Sequence, residues 1–439
     1  MRPAIAWAIK KKKKAKKQVE KAAGDYPAYF YTLIYIFGAN LALPFFDIPL
    51  LGLSLSAPIF FVIAAFVVFR PASAWFKEQQ GWIILGLVLL SAIVISTLVN
   101  EMNRGEINRS SLISLVQYAY WIVVFVIMGY IFRSSKIRKT MSTIFAFAVV
   151  AITAFRWYEA LFHGRIGAWS GTTIMSQNSY GFQFSVFVPF LYIKLFDKET
   201  KKRWFWILVM IVMIVAVGFN GSRGNWVAMA IGAAVMGLVF LITQPKRVPA
   251  FILAVLAILV VGFIVLNLSS QISEAFNSRF ETLFSLEEDK TYLQRELLVK
   301  KGLSLFEESP IIGVGSDRFS RERVSLEIPE LLRYSDTEFI LTSKQSHNSY
   351  IQFLAEFGLL GSIPLALMLI YLSVRGLQIT YEEMKDGKFI DLAIFISFIQ
   401  MSVHMWVLAA YTGTLVWAMY GMLVGAIISR DHKKAAMKS

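Results

Sequence analysis

The chain of 439 residues has no cysteine, only four histidines and few charged residues. The absence of cysteine excludes disulfides, thiol catalysis and cysteine-ligated metals. Charged residues make up 17% of the sequence, whereas soluble proteins average about a quarter. So low a charge content indicates a chain whose surface does not face water over most of its area.

Apolar sequence takes the place of the missing charges. Hydrophobic residues make up 56% of the chain, and the mean hydropathy is +0.58. Runs of about 17 to 22 apolar residues recur, each long enough to cross about 30 Å of hydrocarbon. They predict an all-α polytopic membrane protein with twelve spans at 28–43, 48–69, 81–99, 112–132, 141–162, 179–195, 203–219, 224–243, 249–268, 348–374, 389–410 and 412–429.

Basic residues outnumber acidic ones by 44 to 29, which gives a net charge of +15. Part of the excess is an N-terminal lysine block just before the first apolar segment, at Lys10 to Lys14, Lys16, Lys17 and Lys21. Such a block is typical of a topology anchor at anionic lipid headgroups, so membrane lipids rather than nucleic acid are the expected partner. Too little apolar sequence precedes the lysines for a cleavable signal peptide.

The remaining basic residues predict the side on which each loop lies. With the N-terminus in the cytoplasm, cytoplasmic segments collect 29 of the 44 Lys and Arg residues, and the short external loops hold five. This asymmetry predicts cytoplasmic termini. The expected organisation is a basic segment at 1–27, nine spans within 28–268, one large external loop at 269–347, three spans within 348–429 and a cytoplasmic tail at 430–439.

The large loop leads to His347, the most informative residue of the chain. Within the loop, the spacing from Leu286 to Leu305 predicts an amphipathic helix, and Pro310, Gly313 and Gly315 predict a turn. His347 follows where a span is about to begin, at the boundary between water and lipid. Its unperturbed pKa is near neutral, so this side chain is suited to accept or donate a proton.

Two arginines on the predicted external side are candidates for binding an anion. Arg223 lies between Gly221 and Gly224 at the head of a span, where a guanidinium and the helix N–H groups can both face a phosphate. The alternative for Arg223 is a snorkelling interface residue. Arg295 lies in the amphipathic part of the loop, where the alternative is an ordinary solvated helix residue.

Other polar residues near the spans have simpler interpretations. Asn178 is expected to cap a helix, and Arg165 with His163 to form a polar pair at the interface. Glu356 lies two turns into a span, where a carboxylate is costly unless it is paired or faces a cavity. His404 is expected to be a buried histidine whose hydrogen bonds are satisfied.

No cofactor or metal is expected from the sequence. It contains no cluster of His and carboxylate residues with ligand spacing, no phosphate-binding Gly-Lys-Ser/Thr loop and no dinucleotide fingerprint. A donor substrate would therefore have to carry its own activation.

Three motifs together resemble the O-antigen ligase and Wzy-type polymerase superfamily of bacterial membrane glycosyltransferases. The family pattern of His, then Asn, Ser or Gln, nine residues, Gly, two residues and Gly, Thr or Tyr is matched by His347, Asn348, Gly358 and Gly361. The Ser-Arg-Gly pattern with a following aromatic residue is matched by Ser222, Arg223, Gly224 and Trp226. The third pattern, an Arg upstream of Pro and Gly-x-Gly, is matched by Arg295, Pro310, Gly313 and Gly315.

The resemblance implies a GT-C-like helical enzyme in the bacterial inner membrane with its active site facing the periplasm. It implies a metal-independent, inverting transfer of a glycan from undecaprenyl diphosphate to a hydroxyl group. By this resemblance Arg223 and Arg295 would bind the diphosphate. His347 would be the general base or, alternatively, another diphosphate ligand. Asn178, which matches a family position weakly, Asn348 and Arg165 would be supporting residues.

The acceptor distinguishes the functional alternatives. A ligase transfers the glycan to lipid A-core or a related surface acceptor, whereas a polymerase joins it to another lipid-linked repeat. The single large loop beside the histidine motif favours the ligase slightly. A transporter is the alternative from another class, but the chain has no internal repeat and its unusual charges cluster on the external side.

The charge asymmetry predicts the sidedness of two loops. A reporter enzyme that is active only outside the cytoplasm should be active when fused near Glu308 and inactive when fused near Glu383. Reporter activity in whole cells, with fusion levels checked by immunoblotting, measures this. The opposite pattern would contradict an external site.

Overall fold

A computed structural model of the chain describes residues 28–42, 56–68, 73–105, 107–163, 176–197, 200–267, 270–281, 289–327, 340–342 and 344–438. Within these ranges every regular element is helical. The lysine block and Arg165 lie outside the described residues.

The helices are numbered here in chain order. They are α1 (Ala28–Ala42), α2 (Ser56–Val68), α3 (Ser73–Arg104), α4 (Arg109–Ile131), α5 (Ser135–His163), α6 (Gln177–Phe196), α7 (Arg203–Asn220), α8 (Arg223–Thr243), α9 (Val248–Asn267), α10 (Ser270–Glu281), α11 (Lys290–Glu308), α12 (Ser349–Lys385), α13 (Ile390–His404) and α14 (Thr414–Lys438). A short 3₁₀ turn, Pro245–Arg247, joins α8 to α9.

The helices confirm the polytopic membrane character of the chain. Among the described residues, seven helices are long and apolar enough to cross a membrane, and three shorter apolar helices accompany them. Each of the twelve predicted spans overlaps one helix, while α10 and α11 lie within the predicted external loop. The number of crossings and the external position of the loop remain predictions.

Helices α12 and α13 end several residues away from the predicted span boundaries. Helix α12 continues to Lys385, well past residue 374, because polar side chains beyond that point are paired; one of them, Arg375, forms a 2.5 Å ion pair with Asp431 of α14. Helix α13 ends at His404 rather than at 410. The chain leaves the helix there, and the carbonyl of Met405 accepts a 2.9 Å hydrogen bond from the N–H of Ser349.

Small residues allow close packing of α14 against α4. A Cβ atom on Gly421 would lie 2.4 Å from the carbonyl oxygen of Phe125, and one on Gly425 would lie 2.6 Å from the Cβ atom of Phe132. The four-residue spacing places both glycines on one face of α14. In a membrane, small residues at this spacing stabilise a helix pair because the backbones approach closely.

Charged side chains are paired at both ends of the helix bundle. At the end predicted to be cytoplasmic, the carboxylate of Asp391 lies 3.3 Å from Arg138 and 3.1 Å from Arg430. At the end predicted to be external, Arg318 forms a buried 2.6 Å pair with Glu101. Residues predicted to share a side of the membrane therefore lie at the same end of the structure.

Helix α12 is interrupted at Gly358, where the backbone adopts φ 56° and ψ −157°. A break leaves backbone N–H and C=O groups without helical partners, which is costly in a membrane unless other groups replace them. The loop at 310–315 provides the replacement through four backbone hydrogen bonds of 2.9 Å each: Val314 N–H to Ala355 O, Gly315 N–H to Glu356 O, Leu359 N–H to Pro310 O and Leu360 N–H to Ile311 O.

Glycine is required on both sides of this contact. A Cβ atom on Gly358 would lie 2.5 Å from the carbonyl group of Ile311, and one on Gly313 would lie 2.4 Å from the carbonyl carbon of Glu356. Asn100 of α3 fastens the contact, because its amide donates a 2.9 Å hydrogen bond to the carbonyl of Gly313. The glycines of the loop motif and of the histidine motif therefore belong to one structural unit.

This contact between the loop and the broken helix predicts that two glycine substitutions differ in their effect on the free energy of unfolding. Gly358→Ala and Gly387→Ala both place a side chain at positive φ, which costs about 1–2 kcal/mol. Of the two, Gly358 is the crowded one, since no atom of the described residues lies within 4 Å of a Cβ atom on Gly387. We therefore expect Gly358→Ala to lower the free energy of unfolding by about 1–3 kcal/mol more than Gly387→Ala does. Thermal unfolding of both variants in the same detergent measures this, and equal melting temperatures would contradict it.

Candidate functional site

Arg223 is the first residue of α8 and follows a sharp reversal of the chain. Helix α7 ends at Asn220, and Gly221 adopts φ 68°, a left-handed conformation that suits glycine. Ser222 is the N-cap, but its side chain makes no capping hydrogen bond. The side chain of Arg223 is thus carried at a helix start, where backbone N–H groups lack helical partners.

This turn is held by neighbouring helices. The Nε of Arg156 donates a 3.0 Å hydrogen bond to Asn220 Oδ1, and Asn220 Nδ2 donates one of 3.0 Å to the carbonyl of Gln177. Gly181 packs against the turn so closely that a Cβ atom there would lie 2.6 Å from the Oγ of Ser222. Helices α5 and α6 therefore fix the position from which Arg223 projects.

The guanidinium of Arg223 forms an ion pair with Asp289. The closest N–O distance is 2.5 Å, and the two side chains are only 13% and 9% exposed. Asp289 also caps α11, since its Oδ1 accepts a 2.9 Å hydrogen bond from the N–H of Thr291. Although burial opposes it, the hydrogen bonds from Arg223 and Thr291 hold the pKa of Asp289 below its usual value. Arg223 is therefore bound to an anionic group at the start of α11.

Arg295 lies less than two turns further along α11 and is half-buried. Its positive charge acts on His347, which is itself half-buried. Burial first, and then the charges of Arg295 and Lys344, lower the pKa of His347 to about 4. The imidazole is therefore neutral at pH 7 and carries a lone pair that can accept a proton.

The backbone at His347 is held in an unusual conformation. His347 has φ 51°, which is uncommon for a residue other than glycine. Its two neighbours hold it: the N–H of Asn348 donates a 3.0 Å hydrogen bond to Ser346 Oγ, and the N–H of Ser346 donates one of 3.3 Å to Gln352 Oε1. Strained backbone of this kind is frequent at functional sites.

The start of α12 is also attached to the segment that follows α13. Ser349 Oγ accepts a 2.8 Å hydrogen bond from the N–H of Ala410. Two turns inside the helix, the carboxylate of Glu356 accepts hydrogen bonds of 3.2 Å from Gln352 and 2.7 Å from Tyr411. Glu356 is thus paired with neutral donors, and it lies beside the break in α12 rather than at the arginines.

Of the three supporting residues, Asn178 and Asn348 lie within the described part of the chain. Asn178 does not cap α6: the cap is Ser176, whose Oγ accepts a 3.1 Å hydrogen bond from the N–H of Ser179, and Asn178 is the second helical residue. That prediction was wrong because several polar residues precede the helix, and the sequence does not show which of them is the last residue before the helix begins. Asn348 is the N-cap of α12, and its Oδ1 accepts from the N–H groups of Tyr350 and Ile351. Arg165 lies outside the described residues.

Two residues that contribute to the position of Arg223 were missed from the sequence. Asp289 looks like any acidic residue before a helix, and Arg156 is one of the five basic residues that the charge pattern assigns to the external side. A signal for Asp289 existed, because an Asp directly before an amphipathic helix is a strong capping candidate. Nothing local indicated that Arg156, which is 4% exposed, contacts Asn220.

The structure thus brings Arg223, Arg295 and His347 to the first two turns of α11. Two guanidiniums can bind a doubly charged anion, and the neutral imidazole can accept a proton beside it. Across the described part of the chain, no three His, Asp or Glu side chains are grouped as metal ligands.

Residues 208–366 match the family described as O-antigen ligase. The chain carries a domain of the O-antigen ligase family. This match confirms the resemblance inferred from the motifs. The O-antigen ligase domain runs from α7 into α12 and contains Arg223, Arg295, His347 and the paired glycines of the α12 break. No curated protein matches the chain.

The match of residues 208–366 to the O-antigen ligase family supports a membrane glycosyltransferase of the ligase or polymerase type. It implies lipid-linked glycans as substrates in general. Together with the apolar helices, it supports a multi-pass membrane protein.

Proposed function

We propose that the protein is an O-antigen ligase-like glycosyltransferase that moves a glycan from undecaprenyl diphosphate to a hydroxyl of lipid A-core or a related surface acceptor. The observation that carries the proposal is the grouping of two arginines and a neutral histidine around the start of α11. The donor would lie in the outer leaflet of the inner membrane, with the site facing the periplasm.

In this proposal Arg223 and Arg295 bind the diphosphate. Arg223 already binds a carboxylate, so its position is suited to an anion. A diphosphate that reaches Arg223 must compete with Asp289 and gains two further advantages, a higher charge and a second guanidinium at Arg295. Donor binding is therefore an exchange of one anionic partner of Arg223 for another.

The transfer itself needs no reagent other than the donor, the acceptor and the side chains of the site. The acceptor oxygen attacks the anomeric carbon, and its proton passes to a ring nitrogen of His347. The bond between the anomeric carbon and the diphosphate oxygen breaks, and its electron pair stays on the diphosphate. Arg223 and Arg295 stabilise the charge that develops there, which is strongest in a site that excludes water. Attack from the face opposite the diphosphate inverts the anomeric centre.

The charge environment of His347 favours the base role over a cationic clamp. Before donor binding the ring is neutral, since burial and two nearby cations lower its pKa to about 4. A bound diphosphate adds negative charge and would raise the pKa of His347 toward the working pH, because opposite charges stabilise the protonated ring. The histidine therefore becomes a stronger base only when the donor is present.

A polymerase that joins lipid-linked repeats would use the same step with a different acceptor. The residues around α11 bind the donor in both cases, so they do not distinguish the two enzymes. Supplying purified protein with donor and either lipid A-core or a second lipid-linked repeat tests the choice directly. Product formed only with the second repeat would favour the polymerase.

The two arginines have a direct mutational prediction. Arg223→Ala and Arg295→Ala should each reduce transfer by about 10²-fold or more, since each removes charge stabilisation from the leaving group. Lysine should restore part of the activity, because it keeps the charge but loses the two-pronged geometry. Transfer from a lipid-linked donor by purified enzyme in nanodiscs measures this.

Arg321→Ala is a matched control, because Arg321 also pairs with an aspartate but is 39% exposed. It should retain wild-type activity.

Asp289→Asn tests the competition between Asp289 and the diphosphate for Arg223. Asparagine still caps α11, but Arg223 loses its charged partner, so the donor should bind more tightly. Full activity in both alanine variants would remove the arginines from the proposed site.

His347 has a prediction that separates its two roles. As a base, His347→Ala should leave donor affinity close to wild type while transfer falls by about 10²-fold or more. Wild-type kcat/KM should stay level from about pH 8 to pH 5 and fall as pH approaches 4, because a protonated ring accepts no proton. The fall in kcat should begin at higher pH, since bound diphosphate raises the pKa.

Donor affinity and turnover measured together from about pH 4 to pH 8 decide between the roles. A cationic clamp would instead lose donor binding in His347→Ala and would gain activity as the pH falls. His163→Ala serves as the control, because His163 is an exposed histidine at the end of α5. Wild-type turnover in His347→Ala would refute both roles.

A further inference from the structure

Directly beneath the Arg223 turn, three polar side chains are buried inside the helix bundle. They are His404 at the end of α13, Ser185 in α6 and Asn225 in the first turn of α8, and each is at most 1% exposed. Polar groups inside a membrane protein are costly unless they bind each other, so such groups commonly mark function. The function proposed above uses none of them.

The three side chains form a hydrogen-bonded chain. Ser185 Oγ lies 2.9 Å from His404 Nδ1 and 2.8 Å from Asn225 Oδ1. A serine hydroxyl has one hydrogen to donate. Both contacts are satisfied when His404 Nδ1–H donates to Ser185 Oγ and the Ser185 hydroxyl donates to Asn225 Oδ1. The carbonyl of Gly181, 3.0 Å from Ser185 Oγ, is a second acceptor for the same hydroxyl hydrogen. His404 is therefore connected to the residue two positions after Arg223.

The other edge of the His404 ring packs against the same turn. A Cβ atom on Gly224 would lie 3.4 Å from both Nε2 and Cδ2 of His404, and 2.3 Å from a methyl group of Val407. The His404 ring thus lies beside Gly224 and is connected to the side chain of Asn225 through Ser185. These are the two residues that follow Arg223.

We propose that His404 is a positioning residue that fixes the first turn of α8, through Ser185 and Asn225, and so holds the Arg223 guanidinium where it binds the donor diphosphate. This inference rests on the proposed function. Recognition of a diphosphate by a guanidinium depends on orientation, and a displacement of about 1 Å is enough to weaken it. Loss of His404 should therefore act on donor binding rather than on the chemical step.

Two substitutions of His404 distinguish the contribution of Nδ1 from that of Nε2. In His404→Asn the amide takes the place of Nδ1 and can still bind Ser185, whereas in His404→Gln it takes the place of Nε2. We expect His404→Gln to raise the donor Kd about 10-fold, with kcat at saturating donor and the acceptor KM changed by less than about 3-fold. His404→Asn should stay within about 3-fold of wild type in all three.

The effect of His404 on the donor Kd should depend on Ser185. Ser185→Ala should raise the donor Kd as His404→Gln does, and the double variant should be no worse than either single variant, because both remove one connection. Gln400→Met is the matched control: Gln400 is buried four residues earlier on the same face of α13, and its amide has no hydrogen-bond partner among the described residues. It should leave the donor Kd unchanged.

A second measurement needs no substrate. The chain has no cysteine, so cysteines introduced at the exposed positions Val227 of α8 and Leu303 of α11 can carry spin labels without background. We expect the distance distribution between the labels, measured by double electron–electron resonance, to broaden in His404→Gln and to remain narrow in His404→Asn and Gln400→Met.

The two measurements distinguish the possible failures. An unchanged distance distribution in folded His404→Gln would overturn the positioning role, as would a fall in kcat with an unchanged donor Kd. If the distribution broadens as expected but Arg223→Ala binds the donor normally, the positioning of the turn stands and the proposed diphosphate role of Arg223 fails. Broadening together with a raised donor Kd supports both.

Discussion

The architecture of the site depends on the exchange of backbone hydrogen bonds between the broken helix α12 and the loop at 310–315. Four bonds of 2.9 Å replace those that the break at Gly358 removes. Without them, peptide groups would be left unsatisfied at membrane depth, which costs several kcal/mol each. Because the loop directly follows α11, this exchange also holds α11, and hence Arg295, beside the start of α12 where His347 lies.

Electrostatics then determines what this arrangement can bind. The cations around His347 keep its ring neutral, whereas Arg223 is paired with the carboxylate of Asp289. In the proposed function the two arginines bind the donor diphosphate beside this neutral base. The negative charge of the diphosphate would make His347 a stronger base, so donor binding and proton acceptance would be coupled by the same charges.

Much of the fold was predictable because a membrane restricts a chain to few structures. Apolar runs must be helical there, and each predicted span overlaps a helix. The ends of α12 and α13 were not predictable, since the ion pair of Arg375 with Asp431 and the bond from Ser349 to Met405 join residues far apart in sequence. The cap at Ser176 in place of Asn178 was not predictable either, because several polar residues precede α6 and each of them could cap it.

The sequence by itself determined the class of protein, the family and the three residues on which the proposed site rests. These follow from composition and from short motifs, which are local properties. Only the tertiary structure decided that Gly313 and Gly358 belong to one contact, that Arg223 binds Asp289, and that His404 lies beneath the Arg223 turn. Each of these contacts joins separate helices or a helix and a loop. Their formation depends on how the helices pack, and no spacing along the chain encodes that.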